Sequence, residues 1–311
     1  MRHATVVVAL LLGSCLWADW LVAQRRDNKP TVRKVTEVEV ADKKRRWSVI
    51  PLDVEFPDPA KFIQATASSD DESDPAKKKV KWSQFITPET IEKEVAVISE
   101  AAVEDVKNPG FFSSRGFRGA YVNQSVLAIM FNVAANYDGD MKWKDKGAGL
   151  RDLAVAAADS AENKDQAAFE ASEASTQAVG KLVKTGNSDA LPGVAAIESW
   201  QEQVSAFGPI MRRMEDAHCR RLYRWTANQN EFEANAADVK HEAEVLGTLA
   251  QVILDKSYDL AGEGDYREFA QALRDACVQT VAAVKENNYE KARAAVAEVN
   301  SQCDNCHTNY R

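Results

Sequence analysis

Histidine is scarce in this chain. Four occur in 311 residues, at His3, His218, His241 and His307, and none of the first three stands beside a second cysteine pair. The ligand spacing of a zinc site is therefore missing. There is no Gly-rich phosphate-binding loop, and Asp138-Gly139-Asp140 is too brief for a calcium loop. Basic residues are outnumbered, with 39 Lys and Arg against 47 Asp and Glu and a formal net charge of −8. That balance argues against nucleic acid as a partner. Residues 86–186 contain neither Cys nor His, so chemistry that needs a thiol or an imidazole belongs to the rest of the chain.

What is present is concentrated at the end. Cys303-Asp304-Asn305-Cys306-His307 is the spacing by which a c-type haem is attached. Positions three and four apart share one helix face, so both thiols and the imidazole can address one flat porphyrin. Cys303 and Cys306 would form thioether bonds to one covalent haem c, and His307 would be the proximal iron ligand. A local disulfide is the plainer reading of two cysteines this close, but it leaves the adjacent His307 unexplained.

The chain begins with a charged Met1-Arg2-His3 and an apolar run from Ala4 to Leu12, which reads as an export signal over residues 1–23. Three readings stay open: cleavage after Ala23, lipoprotein processing at Cys15, or a retained membrane anchor. Each places the remainder outside the cytoplasm, in a periplasmic or similar compartment. Residues 24–85 carry Lys43-Lys44-Arg45-Arg46, an acidic Ser68–Asp74 run and Lys77-Lys78-Lys79, and read as a charged, largely disordered linker. Trp47, Ile50, Leu52, Val54 and Phe56 approach the alternation of one short strand.

Beyond Pro88 the pattern turns helical, and two segments look alike. Ser125-Val-Leu-Ala-Ile-Met-Phe131 parallels Glu244-Val-Leu-Gly-Thr-Leu-Ala250, and Gly149-Leu-Arg-Asp152 parallels Ala272-Leu-Arg-Asp275. The offsets are 119 residues from Ser125 to Glu244 and 123 from Gly149 to Ala272, which reads as an internal duplication. Helices are expected at about 88–107, 121–136, 143–162 and 164–184, then at about 194–226, 234–257, 264–286 and 288–310. Short connections make neighbours antiparallel, so the fold class is all-α, as two tandem up-down-up-down four-helix bundles. The first, residues 86–186, is a degenerate haem-less copy; the second, residues 187–311, binds haem. Phe111, Phe112 and Phe117 in the intervening loop are expected to cover one end of the first bundle. Asn123-Gln124-Ser125 fits a glycosylation pattern but reads as a helix start.

The second copy resembles cytochrome c-prime. Cys303, Cys306, His307, Tyr310 and Arg311 match the ending of that family. The resemblance implies a four-helix bundle in which Arg311 sits beside the proximal His, although an Arg that merely caps the last helix is an equal alternative. It also implies that the sixth iron position faces the first helix of the bundle, where an apolar side chain gives gas binding and a Met sulfur gives electron transfer. Phe207, Met211, Met214, His218 and Leu222 share one face there. Met211, Met214 and His218 are the candidate sixth ligands, against the alternatives of plain core for the Met residues and, for His218, a bond to Glu215 or a backbone carbonyl. Cys219 and Cys277 are expected to be two inert buried thiols rather than a disulfide. Arg212-Arg213 and Arg220-Arg221 are expected to be solvated, with haem propionates as the alternative partner.

The expected function is that of an exported monohaem cytochrome, not an enzyme, since no acid–base pair stands near the motif. It would serve electron transfer with a redox partner protein, or bind a small gas such as NO or CO, with a homodimer as one arrangement open to it. The alternative is a docking or structural subunit of a larger redox complex, in which the haem-less bundle binds the partner.

Overall fold

Thr87-Pro88-Glu89 opens the first long helix as its chemistry dictates. The Thr87 hydroxyl accepts from the Thr90 N–H, Pro88 occupies a position that needs no N–H, and Glu89 places an acid in the first turn. The structure is a computed structural model describing residues 79–188 and 193–310. Among these residues all regular structure is helical. The export segment, the strand expected over 47–56, most of the linker and Arg311 lie outside the described residues.

Eight longer helices follow one another: α1 (Pro88–Asp105), α2 (Phe117–Ala135), α3 (Lys144–Ala161), α4 (Gln166–Thr185), α5 (Phe207–Glu215), α6 (Gln229–Val252), α7 (Gly264–Lys285) and α8 (Tyr289–Tyr310). Asp165 caps α4 and Asn228 caps α6, each accepting from a backbone N–H of the first turn. At Gly186 the backbone is left-handed, with φ 70°, and its N–H closes α4 onto Leu182 O. No helix among the described residues is long and apolar enough to cross a membrane.

Three sequence expectations change. Residues 108–116 are helical rather than a loop, as a turn over Pro109–Phe111 and a π-helical segment over Phe112–Gly116 that runs into α2. A side chain at Gly116 would meet Asp105 O at 2.2 Å, so glycine permits the close approach of the end of α1. Phe112 is fully buried edge-on to Phe169, ring centres 5.8 Å apart, and closes that end of α1–α4 with Val106 and Phe117. Asn123 consequently lies well inside α2 and donates to Asp105, so it does not start a helix. The helix expected over 194–226 is divided into a turn at Trp200–Gln203, α5, a π-helical segment at Asp216–Leu222 and a last turn at Tyr223–Trp225. Pro209 lies in the first turn of α5, where an N–H has no helical partner, so the divided helix resumes there. The linker also ends early: Trp82 is buried, edge-on to Trp200 with ring centres 5.7 Å apart.

Packing explains why two segments of the sequence look alike. From Gln124 to Ala135 on α2, and from His241 to Ala250 on α6, every residue is buried. A helix buried all round has neighbours on every side. Helix α2 packs on α1, α3 and α5, and α4 joins α1 and α3; α6 packs on α7, on the π segment and on α1, while α8 packs on α7 and the π segment. One apolar cluster runs through α1–α8 without a break.

A buried cluster of charge crosses that core. Arg213 on α5 donates from Nε to Glu94 Oε1 at 2.6 Å, from Nη2 to Glu94 Oε2 at 2.9 Å and from Nη1 to Glu242 Oε2 at 2.7 Å. Arg221 also donates to Glu242. His241 Nε2 lies 2.9 Å from Glu94 Oε2, and because a carboxylate only accepts, Nε2 carries the hydrogen. Glu94 is 0% exposed and Arg213 4%. Burial pushes the Glu94 carboxyl up, but the Arg213 charge and the hydrogen bonds from His241 and Arg213 outweigh it and hold it at about 2, below the ordinary 4.5.

Glu94→Ala is expected to destabilise the chain by about 3–5 kcal/mol, since it strands a buried guanidinium. Lys93→Ala, which breaks the half-exposed pair with Asp238, should cost at most about 1 kcal/mol. Urea unfolding of both variants checks the contrast. A carboxyl with a depressed folded pKa stabilises fully above pH 4.5 and loses that contribution as pH falls toward 2. Unfolding midpoints measured down the acid range should therefore fall less steeply in Glu94→Gln than in the unmodified chain.

Candidate functional site

Helix α8 carries the terminal motif on the continuation of its apolar stripe. Ala292, Ala295, Val296 and Val299 are buried, and at the same three-and-four spacing Cys303, Cys306 and Tyr310 pack against the core, each half-buried. His307, one residue past Cys306, is exposed, as is Asp304. An aromatic wall stands beside this end of the stripe. Tyr310 meets Tyr266 edge-on at 5.7 Å, Tyr266 meets Phe207 at 6.2 Å, and Phe207 meets Tyr258 at 4.8 Å. Tyr258 donates to Ser205 O and Tyr266 to Ile253 O. These tyrosines sit at the joint before α7 and at its start, where nothing in the local sequence marks them as neighbours of the motif.

Across from α8 stands the first helix of this half. Phe207 and Met211 are half-buried, and Met214, His218 and Leu222 are buried, so the expected common face exists even though the chain changes to π geometry at Asp216. Such π turns recur at functional sites. His218 is 3% exposed, and neither Nδ1 nor Nε2 has a hydrogen-bond partner. Glu215, the residue expected to satisfy it, is paired with Arg212 instead, at 3.0 Å. Burial lowers the His218 pKa, and Asp304, lying between the two motif cysteines, acts the other way. His218 is therefore an orphaned imidazole on the π segment that packs on α8. Met214 and Met211 share its face, but a thioether sulfur is a weak acceptor that can be buried without a partner.

The remaining thiols lie close to the motif. Cys219, Cys277, Cys303 and Cys306 are all free. Cys277 is buried as expected, whereas Cys219 is exposed because it follows His218 on the opposite side of the π segment. Burial pushes the Cys303 thiol up to about 12, with Cys219, Asp304 and Cys306 adding to the shift, and burial also raises Cys306. Both motif sulfurs are protonated at neutral pH, which disfavours uncontrolled thiolate chemistry.

The doubled arginines divide in a way their sequence did not show. Arg212 and Arg220 form exposed pairs with Glu215 and Asp216, but Arg213 and Arg221 turn to Glu242, with Arg213 also gripping Glu94. Glu94, His241 and Glu242 were invisible as a group because they lie on α1 and α6, far apart along the chain. The two Leu-Arg-Asp triplets make the same contacts. Arg151 donates to Asp152 and to Asn132 Oδ1 at 2.9 Å; Arg274 donates to Asp275 and to Gln251 Oε1 at 2.9 Å.

Among the described residues no three His, Cys, Asp or Glu side chains gather as a direct metal site. The donor set is of the kind haem takes: two half-buried thiols on one helix, an exposed imidazole beside them, and a buried unpartnered imidazole on the π segment that packs on that helix. Comparison with family models, with curated proteins and with solved structures yields no match.

Thiol accessibility gives a direct check on this geometry. In the metal-free polypeptide under native conditions a maleimide should label Cys219 first, and Cys277 only after denaturant is added; early labelling of Cys277 would contradict its burial. His218→Leu in the same polypeptide is expected to gain about 1–3 kcal/mol in thermal unfolding, because it removes unsatisfied buried polar atoms.

Proposed function

We propose that this chain is an exported monohaem c-type cytochrome, built as two tandem four-helix bundles of which only the second holds haem. The observation that carries the reading is the placement of Cys303 and Cys306 on the inward stripe of α8, with His307 in the next position and the orphaned His218 on the π segment that packs on α8. Support for the bundles comes from the packing of α1 with α2 and α4, and of α8 with α7 and the π segment. The matching contacts of Arg151 and Arg274 favour a duplication behind them.

In this reading the Cys303 and Cys306 sulfurs anchor haem c covalently and His307 is its proximal ligand. Haem, when bound, supplies one-electron iron chemistry or an iron site for a diatomic gas. Phe207, Tyr258, Tyr266 and Tyr310 would shield one side of the site from water. Arg311, which the cytochrome c-prime resemblance assigns beside the proximal imidazole, lies outside the described residues. The chain acts as a carrier or gas binder outside the cytoplasm, with a redox protein as its partner in the first case.

A second reading makes the chain a subunit of a larger redox complex, docked through the haem-less helices. The exposed Val97 and Val103 on α1 and Val183 on α4 favour it. Size-exclusion of the haem-loaded protein from its producing cells distinguishes the two: a carrier elutes alone, as one chain or a pair, and a subunit elutes with a partner of fixed ratio.

Covalent attachment is tested by producing the full chain in a host that matures c-type cytochromes. The denatured protein should keep its haem absorbance and the mass of chain plus haem. Cys303→Ala and Cys306→Ala should each weaken attachment, and together abolish it. A colourless product at the mass of bare polypeptide would end the proposal.

A further inference from the structure

We infer that His218 is the second axial ligand of the iron, which makes the site a low-spin electron-transfer centre rather than a gas sensor. The inference rests on the haem reading above and decides what that reading leaves open. Three side chains on the first helix of this half compete for the position: Met211, Met214 and His218. Their surroundings separate them.

An imidazole has two ring nitrogens, and each normally finds a partner when buried. His218 has none at either, although it is 3% exposed. The other buried histidine, His241, donates from Nε2 to Glu94 and leaves only Nδ1 without a partner, whereas His218 leaves both. The carboxylates nearest His218 in sequence are engaged with arginines, Glu215 with Arg212 and Asp216 with Arg220. Leaving an imidazole unpaired is costly, and the fold nonetheless keeps it buried on the π segment that packs on α8. A metal lone-pair acceptor satisfies one nitrogen without any protein partner, and the methionines carry no comparable debt.

The local backbone supports the same assignment. His218 stands in the middle of the π-helical segment Asp216–Leu222, which packs on α6 and α8. The segment is fixed from the preceding turn by Arg213, bound to Glu94 of α1 and Glu242 of α6, and from within by Arg221, bound to Glu242. A ligand on a segment clamped at two points is held in place before the iron arrives, as a centre that changes oxidation state with little rearrangement needs.

The test uses the full haem-loaded chain and its His218→Ala, His218→Met, Met211→Leu and Met214→Leu variants. Haem attachment is read first, from the mass and the denatured absorbance. Its absence overturns the cytochrome reading itself and is distinct from the outcomes that follow. With haem attached, the unmodified ferric protein should give a low-spin electron paramagnetic resonance spectrum, and the reduced protein should resist CO. His218→Ala should become high-spin and bind CO at once, and added imidazole should restore the low-spin signal. His218→Met should stay low-spin with the sulfur-to-iron absorption band near the red end of the spectrum. Both Met→Leu variants should remain as the unmodified protein. A high-spin unmodified protein, a low-spin His218→Ala without imidazole, or loss of the low-spin signal in either Met→Leu variant would each overturn the assignment of His218.

Discussion

Arg213 sits between two carboxylates, Glu94 and Glu242, at a point where water does not reach. A guanidinium in that position cannot be left unpaired without large cost, so α1, α5 and α6 must meet there and nowhere else. The direction of the constraint is specific: Glu94 offers both oxygens to one edge of the fork, and Glu242 one oxygen to the other. His241 and Arg221 complete the cluster from its flanks. Apolar burial drives the helices together without fixing their register; this cluster supplies the register.

Its consequences reach the terminal motif through one stretch of chain. Arg213 precedes Met214 and His218 in the chain, so fixing Arg213 against α1 and α6 fixes the rotation of α5 and of the π segment that packs on α8. The π geometry that follows keeps His218 and Leu222 buried while Cys219 turns out to solvent. The half of the chain that has no Cys or His thus contributes Glu94 to the positioning of the half that does. That contribution gives helix α1 a physical role in placing the segment that carries His218.

Much of the architecture was legible from local pattern. The starts after Thr87 and Asp165 lie close to those expected at 88 and 164, and the apolar stripe of α8 runs on into Cys303 and Cys306, whereas α6 begins at Gln229, ahead of the start expected at about 234. The places where pattern failed share a cause. Residues 108–116 contain Pro and two Gly residues and look like a loop, yet burial of Phe112 and the close approach at Gly116 wind them into helix. The span 194–226 is richly periodic, but Val204–Ala206 breaks it, and Pro209 lies in the first turn of the helix that follows.

The sequence by itself determined that two thiols and an imidazole, Cys303, Cys306 and His307, stand within little more than one turn of a single helix, because that depends on local spacing alone. It also determined the all-helical class, since repeated apolar stripes at helical period have no other way to be buried. Only the tertiary structure decided that Arg213 is an interior ion while Arg212 is a surface one, that Glu94 and His241 belong to one cluster, and that His218 has no partner. These are statements about which distant segments meet. They depend on contacts between α1, α5, α6 and α8 that no local spacing encodes.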